Sequence, residues 1–224
     1  MGNNMVITID GPAGAGKSTI SKILAEKLNL TYLDTGAMYR AVALGAHKNG
    51  INIKDGKALG RMCQTIDINF RTDGPFSKIY IGKEDVSKEI RRPEMDMLSS
   101  SVSSVKEVRA AMTELQRKIG MKGRLVAEGR DMGTVVFPEA EYKFFVTASP
   151  EERARRRYEE RIERNEKVDR EFVEADIRKR DEQDSSRSIA PLRPARDAIV
   201  IDTTDLGIDQ VVDHILAHID KRTD

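Results

Sequence analysis

Tryptophan is missing from this chain, aromatic residues make up only 5% of it, and it has one cysteine, Cys63. A lone cysteine excludes an intrachain disulfide, and with it the small disulfide-stapled secreted folds. Charge of one sign is also lacking: 38 basic residues face 37 acidic ones, a net of +1. Without a global positive field, bulk nucleic-acid binding is not expected, and no nucleic-acid partner is assigned. No apolar run approaches the roughly 18 residues of a membrane span, so no membrane partner is expected. The opening stretch MGNNMVITID has neither the basic segment nor the long apolar core of a secretory leader. A reducing, cytoplasmic location is therefore the expectation. The 224 residues suffice for one good core with small insertions. There is no internal repeat or low-complexity segment, so residues 1–224 are read as one domain.

What is present begins with GPAGAGKST, Gly11 to Thr19. It fits G-x-x-x-x-G-K-[ST], with Gly11, Gly16, Lys17 and Ser18 in the fixed slots. Such a loop wraps its backbone N–H groups around an anion, and the helix that follows aims its positive end at it. The loop residues Gly11, Pro12, Ala13, Gly14, Ala15, Gly16, Lys17, Ser18 and Thr19 are the candidate nucleotide-phosphate cradle. Lys17 would reach the β- and γ-phosphates and the Ser18 hydroxyl would ligate Mg²⁺. At average glycine usage the four fixed positions match by chance in about one in a hundred such chains, so context decides. MVITID, Met5 to Asp10, reads as a buried strand before the loop. SKILAEKL after it places Ile20, Ile23, Leu24 and Leu28 at helical spacing.

Further strand candidates are 30–35, 124–129, 142–148 and 198–203, short apolar runs separated by helical stretches. That alternation predicts an α/β fold: a five-stranded parallel sheet flanked by helices. Ligands on such sheets bind beyond the carboxyl ends of the strands. The Gly loop, Asp34, Arg130 and Asp131 all follow apolar runs, so they are expected along one edge. Two regions depart from the alternation. Residues 64–92 read as short antiparallel strands around Asp73-Gly74, an inserted subdomain. Residues 151–187 read as an arginine-rich helical hairpin opened by a capping box at Ser149 to Glu152 and turning near Asn165. The last helix carries an apolar stripe of Val211, Val212, Ile215, Leu216 and Ile219.

A phosphate loop leaves a switch GTPase, a motor ATPase or a small-molecule kinase open. The Asn-Lys-x-Asp of guanine recognition is absent. The arginine hairpin suits a kinase, because phosphoryl transfer rests on positioning and on neutralising charge with planar guanidinium groups. Glu151–Arg155, Glu152–Arg156 and Glu160–Arg164 are also spaced as surface ion pairs, which would leave few arginines for phosphate; Arg153 and Arg157 are the candidates.

Further motifs add specificity. LDTGAMYR (33–40), EGRDMGTVVFP (128–138), RKRDEQDSSR (178–187) and IAPL (189–192) resemble the bacterial cytidylate kinases, in order and over nearly the whole chain. The resemblance implies a P-loop NTPase-type sheet, a nucleotide-binding insertion at 64–92 and a helical lid at 151–187. It implies ATP and Mg²⁺ as cofactors, CMP and dCMP as acceptor substrates, and no catalytic base, since the acceptor is already a phosphate anion. By the same pattern Thr35, Arg109 and Asp131 would face cytosine, with Tyr39 beside the base. Ser100, Arg180 and Asp184 would face the ribose. Arg40, Arg130 and Arg187 would hold the acceptor phosphate and, with Lys17, carry catalysis. Glu128 stands where aspartate is frequent in that family, one methylene longer. Asp34 is a candidate organiser of metal-bound water, and Ser18 is the one direct metal contact assigned.

The residue types agree with that chemistry. Cytosine offers an amino donor at C4 and acceptors at N3 and O2, which suit a carboxylate and an arginine; uracil reverses the edge and would leave both unpaired. Two other readings remain open: a P-loop kinase for another monophosphate such as UMP, and a nucleotide-dependent switch or binding protein. His214 and His218 have zinc-compatible spacing but no third ligand nearby in sequence. SSSVSS (99–104) is read as a hinge or as a close pass by the nucleotide through Ser100. Two moving covers would leave little free surface, so a monomer is expected.

Overall fold

In the computed structural model, residues 5–73, 76–121 and 123–220 are described. The run VITID forms β1 (Val6–Asp10), with Ile7 and Ile9 wholly buried. β1 is followed by α1 (Lys17–Lys27), β2 (Thr31–Asp34), α2 (Thr35–Lys48) and α3 (Gly56–Thr65). Next come β3 (Ile68–Asp73), β4 (Phe76–Ile81), β5 (Glu84–Asp85), α4 (Pro93–Ser103) and α5 (Lys106–Gly120). The chain then returns through β6 (Leu125–Gly129), a π-helical turn at Met132–Val136, β7 (Tyr142–Thr147), α6 (Pro150–Glu163), α7 (Arg170–Ser186), β8 (Ile199–Asp202) and α8 (Ile208–Asp220).

The chain divides into two compact units. The first comprises residues 5–33 and 123–220. It is built on a five-stranded parallel sheet in the order β2-β6-β1-β7-β8. Asp10 lies opposite Gly129 on one side and Phe145 on the other, so these strand ends are level. The chain leaves β1 toward β2 on one side and later adds β7 on the other. The crevice beyond β1 is therefore the topological switch point where α/β sheets bind ligands. Ile20 and Leu24 of α1 and Val211, Val212, Ile215 and Ile219 of α8 pack into the core with Ile7, Ile9 and Phe144. The apolar stripe read in the last helix is the buried face of α8. Ser149 caps α6, its Oγ accepting from Glu152 N at 3.2 Å, but the reciprocal arm of the expected capping box is replaced: Ser149 N donates to Thr204 Oγ1 at 2.9 Å, and Glu152 pairs with Arg155 and Arg156.

The second unit runs from Asp34 to Met121. Asp34 caps α2 by accepting from Ala37 N (2.8 Å), and Asp55 caps α3 by accepting from Ala58 N (2.9 Å). Its small sheet is antiparallel, β3-β4-β5, with Ile68 opposite Ile81. Gly74, in the expected turn, lies outside the described residues. The serine run is helical, not a break: Ser99 and Ser101 donate to Asp96 O and Met97 O, and Ser103 donates to Ser100 O. Each hydroxyl satisfies itself on the preceding turn, which lets serine sit inside a helix. Among the described residues, no helix is long and apolar enough to cross a membrane.

One glycine is fixed by its surroundings. Gly11 has φ of 148°, and a Cβ there would lie 1.9 Å from the Val146 carbonyl oxygen, a backbone atom of β7. Gly50 also has positive φ, 63°, but a Cβ there meets nothing within 4 Å. Gly11→Ala is therefore expected to lose about 3 kcal/mol or more of stability, and Gly50→Ala about 1 kcal/mol from backbone strain alone. Urea denaturation followed by circular dichroism measures both; equal losses would contradict the close approach at Gly11.

Candidate active site

In the first unit the phosphate loop connects β1 to α1. Gly16 takes the left-handed conformation (φ 84°) at the N-cap, no side chain caps α1, and no acidic residue occupies its first turn. The helix start thus keeps its N–H groups and positive end for an anion. Gly14 is also left-handed, and a Cβ on it would strike the Arg153 backbone, so α6 backs directly onto the loop.

Lys17 is only 7% exposed, and its Nζ donates to Pro12 O at 2.6 Å. Burial, helped by the Arg130 guanidinium, pushes its pKa down to about 7; Glu128, Asp184 and Asp10 oppose the shift. Asp10 shows the converse. Burial raises it to about 6, although Met132 N and Gly133 N each donate to its carboxylate at 2.8 Å. Those two bonds tie the end of β1 to the turn that carries Arg130 and Asp131. Asp131 begins the π-helical turn without capping it through its side chain.

Glu128, at the end of β6, gathers hydroxyls. Ser18 Oγ donates to Glu128 Oε1 at 2.7 Å and Tyr32 Oη donates to the same oxygen at 2.6 Å. A serine hydroxyl beside a carboxylate is a hard-oxygen donor set. It suits a small divalent cation held mainly by phosphates, and not an all-protein cage. Among the described residues no three or more His, Cys, Asp or Glu side chains are grouped as a metal cage.

Asp184 of α7 gathers arginines. Arg130 Nε donates to its Oδ2 at 2.7 Å, Arg187 approaches its Oδ1 at 3.6 Å, and Arg180 adds its field. Burial alone would raise the Asp184 pKa, but Arg130, Arg187 and Arg180 outweigh it and hold the carboxyl below the usual range. Arg130, Arg180 and Arg187, expected near phosphate and ribose, are thus brought together around one counter-ion.

Arg153 was expected to be a phosphate contact or a solvated surface charge. It is 4% exposed and braces the loop: Nε donates to Ala148 O (2.9 Å), NH1 to Ala13 O (3.2 Å), and NH2 pairs with Asp181 at 2.7 Å. Arg157 pairs with Glu160 at 2.6 Å. Of the expected surface pairs, Glu152–Arg156 forms at 2.8 Å and Glu160–Arg164 also forms, while Arg155 reaches Glu152 and Glu159. Asp10, Tyr32, Glu128 and Asp181 carry contacts that spacing alone did not assign. The one signal available was an acid closing an apolar strand directly before the loop.

In the second unit the remaining candidates form their own group. Thr35 and Tyr39 lie one turn apart at the start of α2, both buried. Arg40 pairs with Asp34 at 3.5 Å, so the Asp34 carboxylate both caps the helix and holds an arginine. Arg109 of α5 is buried, donates NH1 to Ser103 O at 3.2 Å, and lies 5.8 Å from the Tyr39 ring centroid. Ser100 is half-buried on α4, its carbonyl taken by Ser103.

The Lys17 environment generates a measurable consequence. A polyphosphate against Nζ restores the charged form, so binding takes up a proton wherever the free lysine is neutral. Uptake should be small at pH 6, rise through pH 7, and approach one proton by about pH 8.5, with affinity falling as pH rises above 7. Calorimetry of triphosphate binding in buffers of different ionisation enthalpy reads this directly. Lys17→Met should take up none; equal uptake in the variant would assign the proton elsewhere.

Comparison with known proteins places this geometry. The cytidylate kinase family model matches residues 7–221. A cytidylate kinase of Carboxydothermus hydrogenoformans is 50% identical over 220 residues, covering 98% of this chain and 99% of that protein. A cytidylate kinase of Pseudothermotoga lettingae is 51% identical over 213 residues, 95% of this chain and 93% of that one. Among solved structures, an uncharacterized protein from Eubacterium ventriosum is 16% identical with a TM-score of 0.53, covering 97% of this chain and 99% of that chain, a likeness of fold. With a phosphate loop and its buried lysine on the sheet's switch point, and near-full-length relatives at half identity, the chain belongs to the cytidylate kinase family.

Proposed function

We propose that this protein transfers the γ-phosphoryl group of ATP to CMP or dCMP, giving ADP and CDP or dCDP. The observation that carries the reading is the pairing, in one unit, of a phosphate loop holding buried Lys17 with three arginines drawn around Asp184. One set cradles a donor polyphosphate; the other supplies charge for an acceptor phosphate.

A phosphate oxygen of the acceptor attacks the γ-phosphorus. The bond from that phosphorus to the β,γ-bridging oxygen breaks, and the electron pair leaves on ADP. No general base is needed, because the attacking oxygen is anionic near pH 7. Lys17 neutralises the β- and γ-phosphates, while Arg130 and Arg187, with Arg40, hold the acceptor phosphate. Guanidinium forks suit this task because they meet two phosphate oxygens at once. Mg²⁺, held by Ser18 with Glu128 beside it, would screen the charge on the bridging and terminal oxygens. Thr35, Arg109 and Asp131 would read the cytosine edge with Tyr39 alongside, and Ser100, Arg180 and Asp184 the sugar. Asp184 would then exchange part of its arginine pairing for ribose hydroxyls as phosphate takes over the guanidinium groups. The β3–β5 region within 64–92 would serve the monophosphate, and the α6–α7 hairpin within 151–187 would act as the lid that keeps water from the γ-phosphate.

ADP formation from ATP–Mg²⁺ should be strong with CMP and dCMP and weak with UMP, AMP or no acceptor. Asp131→Ala should lower kcat/KM for CMP by about 10- to 100-fold, the loss of one charge-assisted hydrogen bond in a buried site. A preference for UMP or AMP would keep the kinase chemistry and overturn the assignment of Arg109 and Asp131. No acceptor-dependent turnover would overturn the reaction itself.

A further inference from the structure

Tyr32 belongs to none of the motifs that led to the site, yet it touches the site's most exacting carboxylate. It lies on β2, next to β6 in the sheet, and its Oη is 2.6 Å from Glu128 Oε1. The same oxygen receives Ser18 Oγ at 2.7 Å. Glu128 is buried, and Tyr32 is half-buried with the Lys22 ammonium 5.9 Å from its ring centroid.

We propose that Tyr32 is a positioning residue for the metal site: its phenol pins Glu128 Oε1 beside Ser18, and this turns the Ser18 oxygen toward the cation. The inference rests on the reading of Ser18 as the metal contact of a nucleotide kinase. The chemistry runs in two steps. A hydroxyl has one proton and two lone pairs. When Ser18 gives its proton to Glu128, its lone pairs are left for a cation. That holds only while Glu128 stays where it is, and two cations compete for it. Lys17 and Arg130 both respond to the Glu128 charge. A carboxylate free to pivot would turn toward them, form an ion pair and release Ser18. The phenol prevents the pivot without adding charge. A lysine or arginine in its place would hold Glu128 equally well but cancel the negative potential that a divalent ion needs.

The test is a double-mutant cycle on Mn²⁺ affinity, with Mn²⁺ as the paramagnetic stand-in for Mg²⁺. Free Mn²⁺ is counted by electron paramagnetic resonance as it is titrated into the protein saturated with ADP. Tyr32→Phe keeps the ring and removes only the donor. It should raise the Mn²⁺ dissociation constant about fivefold, the worth of one such hydrogen bond, while metal-free ADP binding stays within about twofold. Glu128→Asp draws the carboxylate back by one methylene, out of reach of Oη. In that background, adding Tyr32→Phe should change Mn²⁺ affinity no further. An unchanged constant in Tyr32→Phe, or the same loss in both backgrounds, would overturn the proposal, the latter because it marks general loosening of the strand. Failure of the underlying reading looks different: wild-type protein would then hold no Mn²⁺ with ADP and show no CMP-dependent turnover, and both readings would fall.

Discussion

Two backbone N–H groups on one buried carboxylate hold the carboxyl edge of the sheet together at β1. Asp10 ends β1, and the next residue, Gly11, opens the phosphate loop. Its oxygens accept from Met132 and Gly133, 122 and 123 residues further on. Because Asp10 is level with Gly129 in the sheet, the bonds span only the step from one strand end to the turn beyond its neighbour. Burying a carboxylate is costly, which is why the Asp10 pKa rises. The two donors offset that cost only if the turn adopts the conformation that presents both. That conformation sets where Arg130 and Asp131 leave the backbone. Hence the phosphate loop and the turn that carries Arg130 and Asp131 are parts of one hydrogen-bonded assembly.

On that frame the unit carries an electrostatic balance tuned by burial. Lys17, Arg130, Arg180 and Arg187 would repel one another in a low-dielectric site. Asp184 and Glu128 keep them folded inward, and both carboxylates lie where phosphates are proposed to arrive. The lowered Lys17 pKa is the residue of an incomplete compensation: the carboxylates do not fully restore the charge that burial and Arg130 disfavour. A polyphosphate completes it. On the proposed reading, binding and charge are thereby linked through one lysine.

Much of this fold was legible because its signals are local. The phosphate loop is a spacing of four residues, β1 and α8 are runs with the right period, and the cap at Ser149 lies within four residues, Ser149 to Glu152. Asp184 stood out in its motif, but its role as a counter-ion did not, because Arg130 lies 54 residues away and no periodicity connects them. Glu128 and Tyr32 are 96 residues apart and meet only because β6 is inserted beside β2 after the whole second unit has been made. The serine run shows how a polar stretch is accommodated in a helix. A serine hydroxyl competes for backbone groups and so lowers helix propensity. In α4 those hydroxyls bond the turn before them and leave the helix intact.

Helix α6 shows most sharply what composition hides. EERARRRYEERIER reads as a solvated rod of charge, and by apolar count it is. Yet Arg153, Arg157 and Arg161 recur every four residues and form one inward stripe, with Arg153 buried and the other two largely covered, while Arg155 is 48% exposed. Arginine occupies the positions where a packed helix ordinarily has leucine. Each is matched by a carboxylate: Asp181 for Arg153, Glu160 for Arg157, Glu166 for Arg161. The pair that crosses to α7, Arg153–Asp181, differs in kind from an apolar contact. Apolar burial is lost whenever the elements separate, since water is the only alternative partner. A guanidinium group moved from carboxylate to phosphate keeps its charge partner and its fork geometry, so the exchange has a small net cost. Of these three pairs only Arg153–Asp181 joins α6 to α7, since Glu160 lies on α6 itself and Glu166 in the turn between the helices, so the exchangeable contact of the hairpin is that one bridge, set beside the buried Val173 and Ile177.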